Sequence, residues 1–535
     1  MSNADPTTLP KGWLRVSISD VANAASGHGF PTNLQGRTSG EVPFAKVSDI
    51  SRTVEEGGRY LNGAANYISG DDAKALRASA LPPDTIVFAK IGGAIELNRR
   101  VILACNTIVD NNVMGISPEP GLEPLYLYYF MLTQRLGALS RATTVPSLRR
   151  GDIDGISFPL PPSAEQRRIT EALDEIYSDL DAGFTALERV RGNLKLYRAS
   201  VLKAAVEGAL TAEWRARHPD TEPASELLER LLVERRHRWE EQQAAKFKEK
   251  CQEPPKDWKV KYKQPFKLDV TNLPSLPERW AWCNGDTLFS FITSGSRGWA
   301  RYSAEDGPVF IRMGNLDHGT IRLDMRDTQH VNPPVGTEGV RTKIVPGDIL
   351  ISITADVGMV ALAQDDIEDA YINQHVALAR PVPSTVAAFL AWYLASPSGG
   401  GRQFKDLQRG ATKVGLGLDD IRSIAIPLPP LSEQEAIVEA VEAQLSVIDH
   451  VEADLDTRIL SVQSLRQAIL RQAFSGTLVP QDPLDEPASE LLKRIAAERG
   501  AREREVATVK QVVKRTNGSP TAKRGRTKKS KTKEN

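Results

Sequence analysis

Apolar residues recur at helical spacing in two long stretches of the chain. Ile169, Leu173, Ile176, Leu180, Phe184, Leu187, Leu194, Tyr197 and Val201 fall on one stripe, and Ile437, Val441, Ile448, Leu455, Ile459, Val462 and Ile469 on another. This period predicts two coiled-coil-like helices. Each follows a PLPP run, Pro159–Pro162 and Pro427–Pro430, whose prolines prevent an earlier start. Ser163 with Gln166, and Ser432 with Glu435, suit N-caps with a reciprocal partner three residues on, and Gly208 and Gly476 suit the C-terminal ends. At about 1.5 Å per residue, about 44 residues make a spacer of roughly 65 Å. Neither stripe can stay in water, so the economical arrangement packs the two helices on each other, antiparallel, about a pseudo-twofold axis. A globular segment then lies at each end.

Outside those stripes the pattern shortens. Thr85–Ala89 and Asp348–Ile353 are β-branched and aromatic runs introduced by turns, in PPDTIVFAKIGG and VPGDILISITADVG, and predict strands. Helical stretches follow at Glu123–Leu139 and Val386–Ala395. Each segment, of about 150 residues, is therefore expected to be a mixed α/β domain of ordinary size.

The chain repeats itself. PLPPSAEQRRI at Pro159 returns as PLPPLSEQEAI at Pro427, an offset of 268 positions. LPKGW at Leu9 answers LPERW at Leu276, and VLKAAVEGAL at Val201 answers ILRQAFSGTL at Ile469. EPASELLERL after Thr221 returns as EPASELLKRI after Asp485, offset by 264. A duplicated unit follows from this order: globular segment, Pro-rich turn, long helix, trailing helix. The expected boundaries are 1–162 for the first domain, 163–210 for its helix and 211–272 for a charged helical connector. Then come 273–430 for the second domain, 431–478 for its helix, 479–509 for a trailing helix and 510–535 for a basic tail.

Composition narrows the class. With 535 residues, 41% of them hydrophobic, the chain can bury several cores. No apolar run approaches the roughly 20 residues of a membrane span, and the N-terminus lacks a signal-peptide pattern, so a cytoplasmic location is expected. Cys105, Cys251 and Cys283 lie far apart without CxxC spacing and are read as free thiols. The balance of 68 basic against 68 acidic residues conceals a basic tail, KRGRTKKSKTKEN, with almost nothing apolar to bury. Such a tail either solubilises or binds phosphates.

Two variable α/β segments, each followed by a PLPP turn with EQ and a long helix, resemble the specificity subunit of type I restriction-modification systems. GDILISITADVG, YINQHVALARP, GLGLDDIRSIAIPLPP and VDNNVMGISP fit the same family. The resemblance implies two target recognition domains, each reading half of a split double-stranded DNA sequence. It also implies helices that set their separation and bind two methyltransferase subunits, with restriction and translocase subunits completing the complex. Adenine methylation and cleavage would then belong to those partners, which would use S-adenosylmethionine, ATP and magnesium. The first domain departs from the second, with LPPDTIVFAKIGG in place of VPGDILISITADVG, and the connector carries an extra charged helix near Glu226–Lys250.

No catalytic constellation competes with this reading. VNPPV at Val331–Val335 resembles the NPP[Y/F] motif of amino-methyltransferases, but Val335 cannot stack on a flipped base. There is no GxxxxGK[ST] loop, no HxxxH or HExxH pair and no metal-nuclease carboxylate pattern. No cofactor or metal is expected in this chain.

The remaining candidates form a reading surface, because Arg and Lys recognise guanine, Asn and Gln recognise adenine, and phosphate contacts fix register. In the first domain these are Lys90, Arg99, Arg100, Asn111, Asn112, Arg149 and Arg150. In the second they are Arg301, Arg312, Asn315, Asn373, Gln374, His375, Arg409 and Lys413. Two rivals remain, a noncatalytic coiled-coil scaffold joining proteins and a fused methyltransferase-nuclease. Sequence-specific DNA binding separates a DNA reader from the scaffold, and the missing donor motif opposes the fused enzyme.

Overall fold

The structure, a computed structural model, describes residues 9–140, 145–295, 298–333, 336–409 and 415–516. Two compact units divide it, residues 1–185 with 458–535, and residues 186–457. The two long helices, Ser163–Val206 and Leu431–Ser475, each contribute to both units.

In the first unit, five strands lie in the order Ala22–Ser26, Val113–Pro118, Ile86–Ala89, Arg100–Leu103 and Tyr60–Leu61. The first four pair antiparallel and the last parallel. A three-stranded sheet of Tyr67–Ile68, Val42–Ala45 and Ile108–Val109 stands beside it. The strand Ile86–Ala89 at the centre of the sheet is an unbroken apolar run because both its faces are covered. Phe88, Ile102 and Met114 of the sheet share one core with Tyr126 and Phe130 of the helix Pro124–Thr133, and with Ile169 and Ile469 of the long helices.

The second unit repeats this plan. Its four-stranded sheet runs Phe289–Ser294, Val376–Pro381, Ile349–Ser352, Val360–Leu362, and its three-stranded sheet Gln329–Val331, Ser303–Ile311, Ala370–Ile372. The helix Ala387–Ala395 takes the place of Pro124–Thr133. The expected mixed α/β class therefore holds in both halves. The stretch expected as one helix over Glu123–Leu139 is α-helical only to Thr133, with a 3-10 turn at Leu136–Leu139. The break falls at Gln134, whose carbonyl accepts from Arg100 Nη2 at 2.5 Å.

Within each unit the long helices pair antiparallel. In the second, Arg198 bonds Asp449 while Arg191 Nη2 lies 3.3 Å from Asp456 Oδ1, one rising along its helix as the other descends. The first unit pairs Arg466 with Asp181, and the offset of 268 maps one ion pair onto the other. Ile169, Leu173, Val201, Ile437, Val441, Ile448, Leu455 and Ile469 of the expected stripes are buried. Tyr197 is not: it is 52% exposed, whereas Leu445, absent from the expected stripe, is 4% exposed.

The helix starts differ from the expected caps. Gln166 does not bond back to Ser163; its Nε2 donates to Pro161 O at 3.0 Å and its Oε1 accepts from Glu123 N at 2.9 Å. In the second repeat the matching residue is Gln434, not Glu435, and it donates to Pro429 O at 2.9 Å. The Glu before each Gln reaches the other repeated phrase. Trp13 Nε1 donates to Glu165 at 2.9 Å, and Trp280 Nε1 to Glu433 at 2.9 Å. Gly476 (φ +73) and Gly208 (φ +74) close the helices in the left-handed region where glycine is favoured. A Cβ would meet Pro10 Cγ at 2.2 Å in one case and Pro277 Cγ at 2.8 Å in the other, so each helix end rests on the LPxxW phrase of its unit.

The EPASELL phrases start helices Ala224–Glu249 and Ala488–Thr516. Ala224 N donates to Arg279 O and Ala488 N to Gly12 O, so each begins on the same turn of its domain. The second helix passes the expected end at 509 and enters the segment read as a tail, because its heptad-like spacing continues through Val506 and Val513. Residues 517–535 lie outside the described residues. Cys105, Cys251 and Cys283 are free thiols. Among the described residues, no helix is long and apolar enough to cross a membrane.

Candidate nucleic-acid interface

In the first unit, backbone hydrogen bonds draw four loops to one end of the five-stranded sheet. Lys90 N donates to Asn112 O at 2.8 Å, and Leu148 N to Lys90 O at 2.9 Å. Gly27 N donates to Val113 O at 3.1 Å, and His28 N to Val109 O at 2.8 Å. Residues 27–28, 90–93, 110–112 and 146–150 therefore form one cluster, which brings together Lys90, Asn111, Asn112, Arg149 and Arg150. Gly27 permits this approach, since a Cβ there would stand 2.0 Å from Asp110 O.

The side chains divide by partner. Asn111 and the side chains of Lys90 and Arg149 have no hydrogen-bond or ion partner among the described residues, and Asn111 and Arg149 are exposed. Asn112 is anchored to the buried Asp110 through its peptide N at 2.8 Å and its Nδ2 at 3.3 Å. Arg150 bridges Asp154 Oδ2 at 3.1 Å and Asn23 Oδ1 at 3.0 Å but stays 61% exposed. Arg99 pairs with Glu55 at 2.7 Å.

Arg100 is a correction. It is 2% exposed on a central strand, donates to Asn98 and to the Gln134 carbonyl, and burial lowers its pKa to about 10. A guanidinium so enclosed is a structural group and reads no base.

The second unit assembles the equivalent loops. Gly295 N donates to Asn373 O at 3.2 Å, Ile353 N to His375 O at 3.0 Å, and Leu416 N to Ile353 O at 2.9 Å. Gly295 again permits the close approach, with a Cβ position 2.2 Å from Asn373 C. Asn373 orients the tip by accepting from His375 N at 2.9 Å, as Asp110 does for Asn112. His375 Nδ1 lies 2.7 Å from Thr354 Oγ1, and Gln374 Nε2 lies 3.0 Å from His375 Nε2. Arg409 is exposed and bonds Asp420 Oδ1 at 2.8 Å beside its backbone pairing with Gly415.

Arg301 is exposed and lies over the Tyr302 ring at 4.8 Å. Arg312 pairs with Asp327 at 3.1 Å. Asn315 is the second correction: it is 2% exposed, accepts from Arg312 N at 2.9 Å, and donates to the Asp324 and Asp327 carbonyls. The first unit explains it, because Asp49 accepts from Lys46 N at 2.8 Å in the same way. Lys413 lies outside the described residues, as do Pro334 and Val335 of VNPPV.

That correspondence exposes residues the sequence reading missed. Lys46 is the counterpart of Arg312; it donates to Gln35 Oε1 at 2.7 Å and lies 5.0 Å over the Phe30 ring. His28 belongs to the loop cluster and accepts from Ser79 N at 3.2 Å. The available signal was the paired phrase FAKVSD and FIRMGN, an apolar strand, one cation, and an acid or amide three residues later. Among the described residues, no group of three or more His, Cys, Asp or Glu side chains could hold a metal ion.

Two copies of one mixed α/β domain, one carrying a loop cluster of Asn, His, Lys and Arg and the other of Asn, Gln, His and Arg, define a tandem recognition protein. The family described as "Type I restriction modification DNA specificity domain" matches residues 10–189 and 334–457, more than half of the chain, and the chain belongs to that family. The EcoBI specificity subunit of Escherichia coli is 25% identical over 515 residues, 92% of this chain and 94% of that protein. The EcoKI specificity subunit of E. coli strain K12 is 23% identical over 521 residues, 92% of this chain and 97% of that protein. A solved structure from work on assembly and conformational transition of the type I R-M system superposes with a TM-score of 0.56. It is 19% identical and covers 88% of this chain and 100% of that one, a likeness of fold.

Proposed function

We propose that the chain is the noncatalytic sequence reader of a type I restriction-modification complex. On this reading the two domains recognise separate halves of a bipartite double-stranded DNA site and direct adenine methylation and restriction by partner subunits. The observation that carries it is the duplicated loop cluster. Its frame is the same in both units, with Gly27 and Gly295, Asp110 and Asn373, Asp49 and Asn315 in matching roles. Its tip residues differ, Asn111 and Asn112 in one and Gln374 and His375 in the other. A common frame with different donors and acceptors suits two base sequences approached in one manner. The family membership supports the same assignment.

Methyl transfer, ATP-driven translocation and cleavage fall to the partners, two modification subunits and the restriction subunits, with S-adenosylmethionine, ATP and magnesium bound there. A cytoplasmic location follows from this role. A single-turnover assay with labelled methyl donor tests the division of labour: transfer to DNA is expected only when a methyltransferase subunit is added, and transfer by the purified chain alone refutes it. A scaffold that only joins proteins would bind no DNA sequence preferentially.

A further inference from the structure

The two units differ where each domain meets its helices. In the first, Arg59 grips Asp174 of the long helix with both nitrogens, Nη1 to Oδ1 at 2.5 Å and Nη2 to Oδ2 at 3.0 Å. Tyr129 OH also donates to Asp174 Oδ1, and Arg59 Nη1 lies 3.1 Å from Tyr129 OH. The Tyr129 ring packs on Tyr177 with centroids 5.4 Å apart. The cluster is complete: a guanidinium, a carboxylate and an aromatic hydrogen-bond donor.

The repeat identifies the counterparts. The offset of 268, fixed by the matching Arg466–Asp181 and Arg198–Asp449 pairs, places Glu442 at the position of Asp174 and Leu445 at that of Tyr177. Pro118 and Pro381 end matching strands, opposite Ala22 and Phe289, and counting on from them places Trp392 at the position of Tyr129. The carbonyl of Arg59 accepts from Ile102 N at 2.8 Å, and that of Ile321 accepts from Leu362 N at 2.8 Å, so Ile321 stands where Arg59 stands. The second unit thus keeps the aromatic donor and the carboxylate and lacks the guanidinium.

A cavity of about 1010 Å³ opens at this position, lined by Ile321, Trp392, Glu442 and Leu445. Trp392 is 6% exposed, and its Nε1 has no hydrogen-bond partner, whereas Tyr129 has one. Glu442 has no partner among the described residues. Asp365, Asp366 and Glu368 line the rim, also without partners among the described residues, against one unpaired cation, Arg322.

We propose that this cavity binds an arginine side chain presented by a protein partner, with the guanidinium on Glu442 and against the Trp392 ring, reproducing what Arg59 does in the first unit. Arginine is favoured over lysine because a planar fork satisfies a carboxylate bidentately and stacks on an indole. A peptide-borne arginine is favoured over the free amino acid, whose own carboxylate would face the acidic rim. The volume lies at the upper end of the roughly 300–1,000 Å³ of small-ligand sites, leaving room for residues flanking the arginine. This inference stands apart from DNA reading, since the cavity and the loop cluster share no residue.

The test uses the full chain labelled with ¹⁵N-tryptophan, the Trp392 indole signal being assigned with Trp392→Phe. Acetyl-arginine methylamide is expected to shift that signal saturably and about fivefold more tightly than the lysine analogue or free arginine. Glu442→Gln, at an exposed position, is expected to abolish the shift, and Ile321→Arg to abolish it by supplying the missing guanidinium from within. An unmoved Trp392 signal, equal responses to arginine and lysine probes, or a wild-type response from Ile321→Arg would each overturn the proposal. Sequence-specific DNA binding would be unaffected by any of these results.

Discussion

Trp280 donates its indole proton to Glu433 at 2.9 Å across 153 positions of sequence, and the bond ties the second domain to the first turn of the helix that follows it. Glu433 is 1% exposed and also accepts from Thr211 Oγ1 at 2.8 Å and Arg215 Nη1 at 2.9 Å. Glu433→Ala would leave two buried donors, Trp280 Nε1 and Thr211 Oγ1, without this acceptor and Arg215 with only the Gly208 carbonyl, and is expected to destabilise the second unit by about 3–5 kcal/mol. Trp280→Phe removes one donor while keeping a ring and should cost less. Urea denaturation followed by circular dichroism ranks the two, and equal costs would mean that the Thr211 and Arg215 bonds to Glu433 add nothing to the Trp280 bond.

The Arg59–Asp174 cluster predicts a pH dependence. Burial raises the Asp174 pKa, but hydrogen bonds from Arg59 and Tyr129 outweigh it and hold the carboxyl below its ordinary 3.8. A carboxyl whose folded pKa is depressed gives stability that is fully present above its unfolded pKa and lost as pH falls through the folded one. The stability difference between the wild type and Asp174→Asn should therefore be constant from neutral pH to near 5 and shrink below about 4. Thermal melts of both proteins across that range measure it, and a difference that grows on acidification contradicts the pairing.

For the reading surface, Lys90 and Arg149 carry side chains with no partner among the described residues at the centre of the first loop cluster. Lys90→Ala and Arg149→Ala should each weaken DNA binding and reduce the salt slope by about 1 if the group meets a phosphate. Gln374→Ala or His375→Ala should relax the base preference of the other half-site. Anisotropy titrations over a salt series, with specific and scrambled duplexes, distinguish these effects. Arg100→Met serves as a contrast: it removes an enclosed cation with little change of volume, and the methylated sequence should stay the same.

Exchange of residues 276–426 for the corresponding domain of a relative should alter one half of the methylated sequence and leave the other intact. Methylome mapping in a host supplying the methyltransferase subunit gives the result. A change in both halves would mean that the domains do not read independently.

Some of this was legible in the sequence and some was not. The long helices were, because a 3.6-residue apolar period over ten turns has no other reading, and the repeat was, because its phrases recur in one order. The Trp13–Glu165 and Trp280–Glu433 bonds were not, since a contact between residues so distant leaves no local signature. Gln166 and Glu435 looked like capping partners, and instead it is the Glu of each EQ, Glu165 and Glu433, that serves long-range anchoring. Arg100 stands beside Arg99 in the sequence as a DNA-reading candidate, but in RVIL it begins a strand buried throughout, so the apolar run after it was the better guide. Asn315 was misread because an Asn in a loop suggests base recognition until Asp49 shows the same position holding a turn.

The C-terminal helices complete the N-terminal domain. Gly476 rests on Pro10 and Trp13, Ala488 bonds Gly12, and Arg499 and Arg502 hold Glu119. The second unit, by contrast, is one continuous stretch, residues 186–457. On the ribosome the domain of residues 9–185 emerges before that of residues 186–457 and is thus able to finish folding only after it: it waits with an open apolar face until the chain has passed Arg502. A nonsense mutation just before Ile469 would strike the unit to which Trp13 and Glu119 belong, although it leaves residues 9–185 intact.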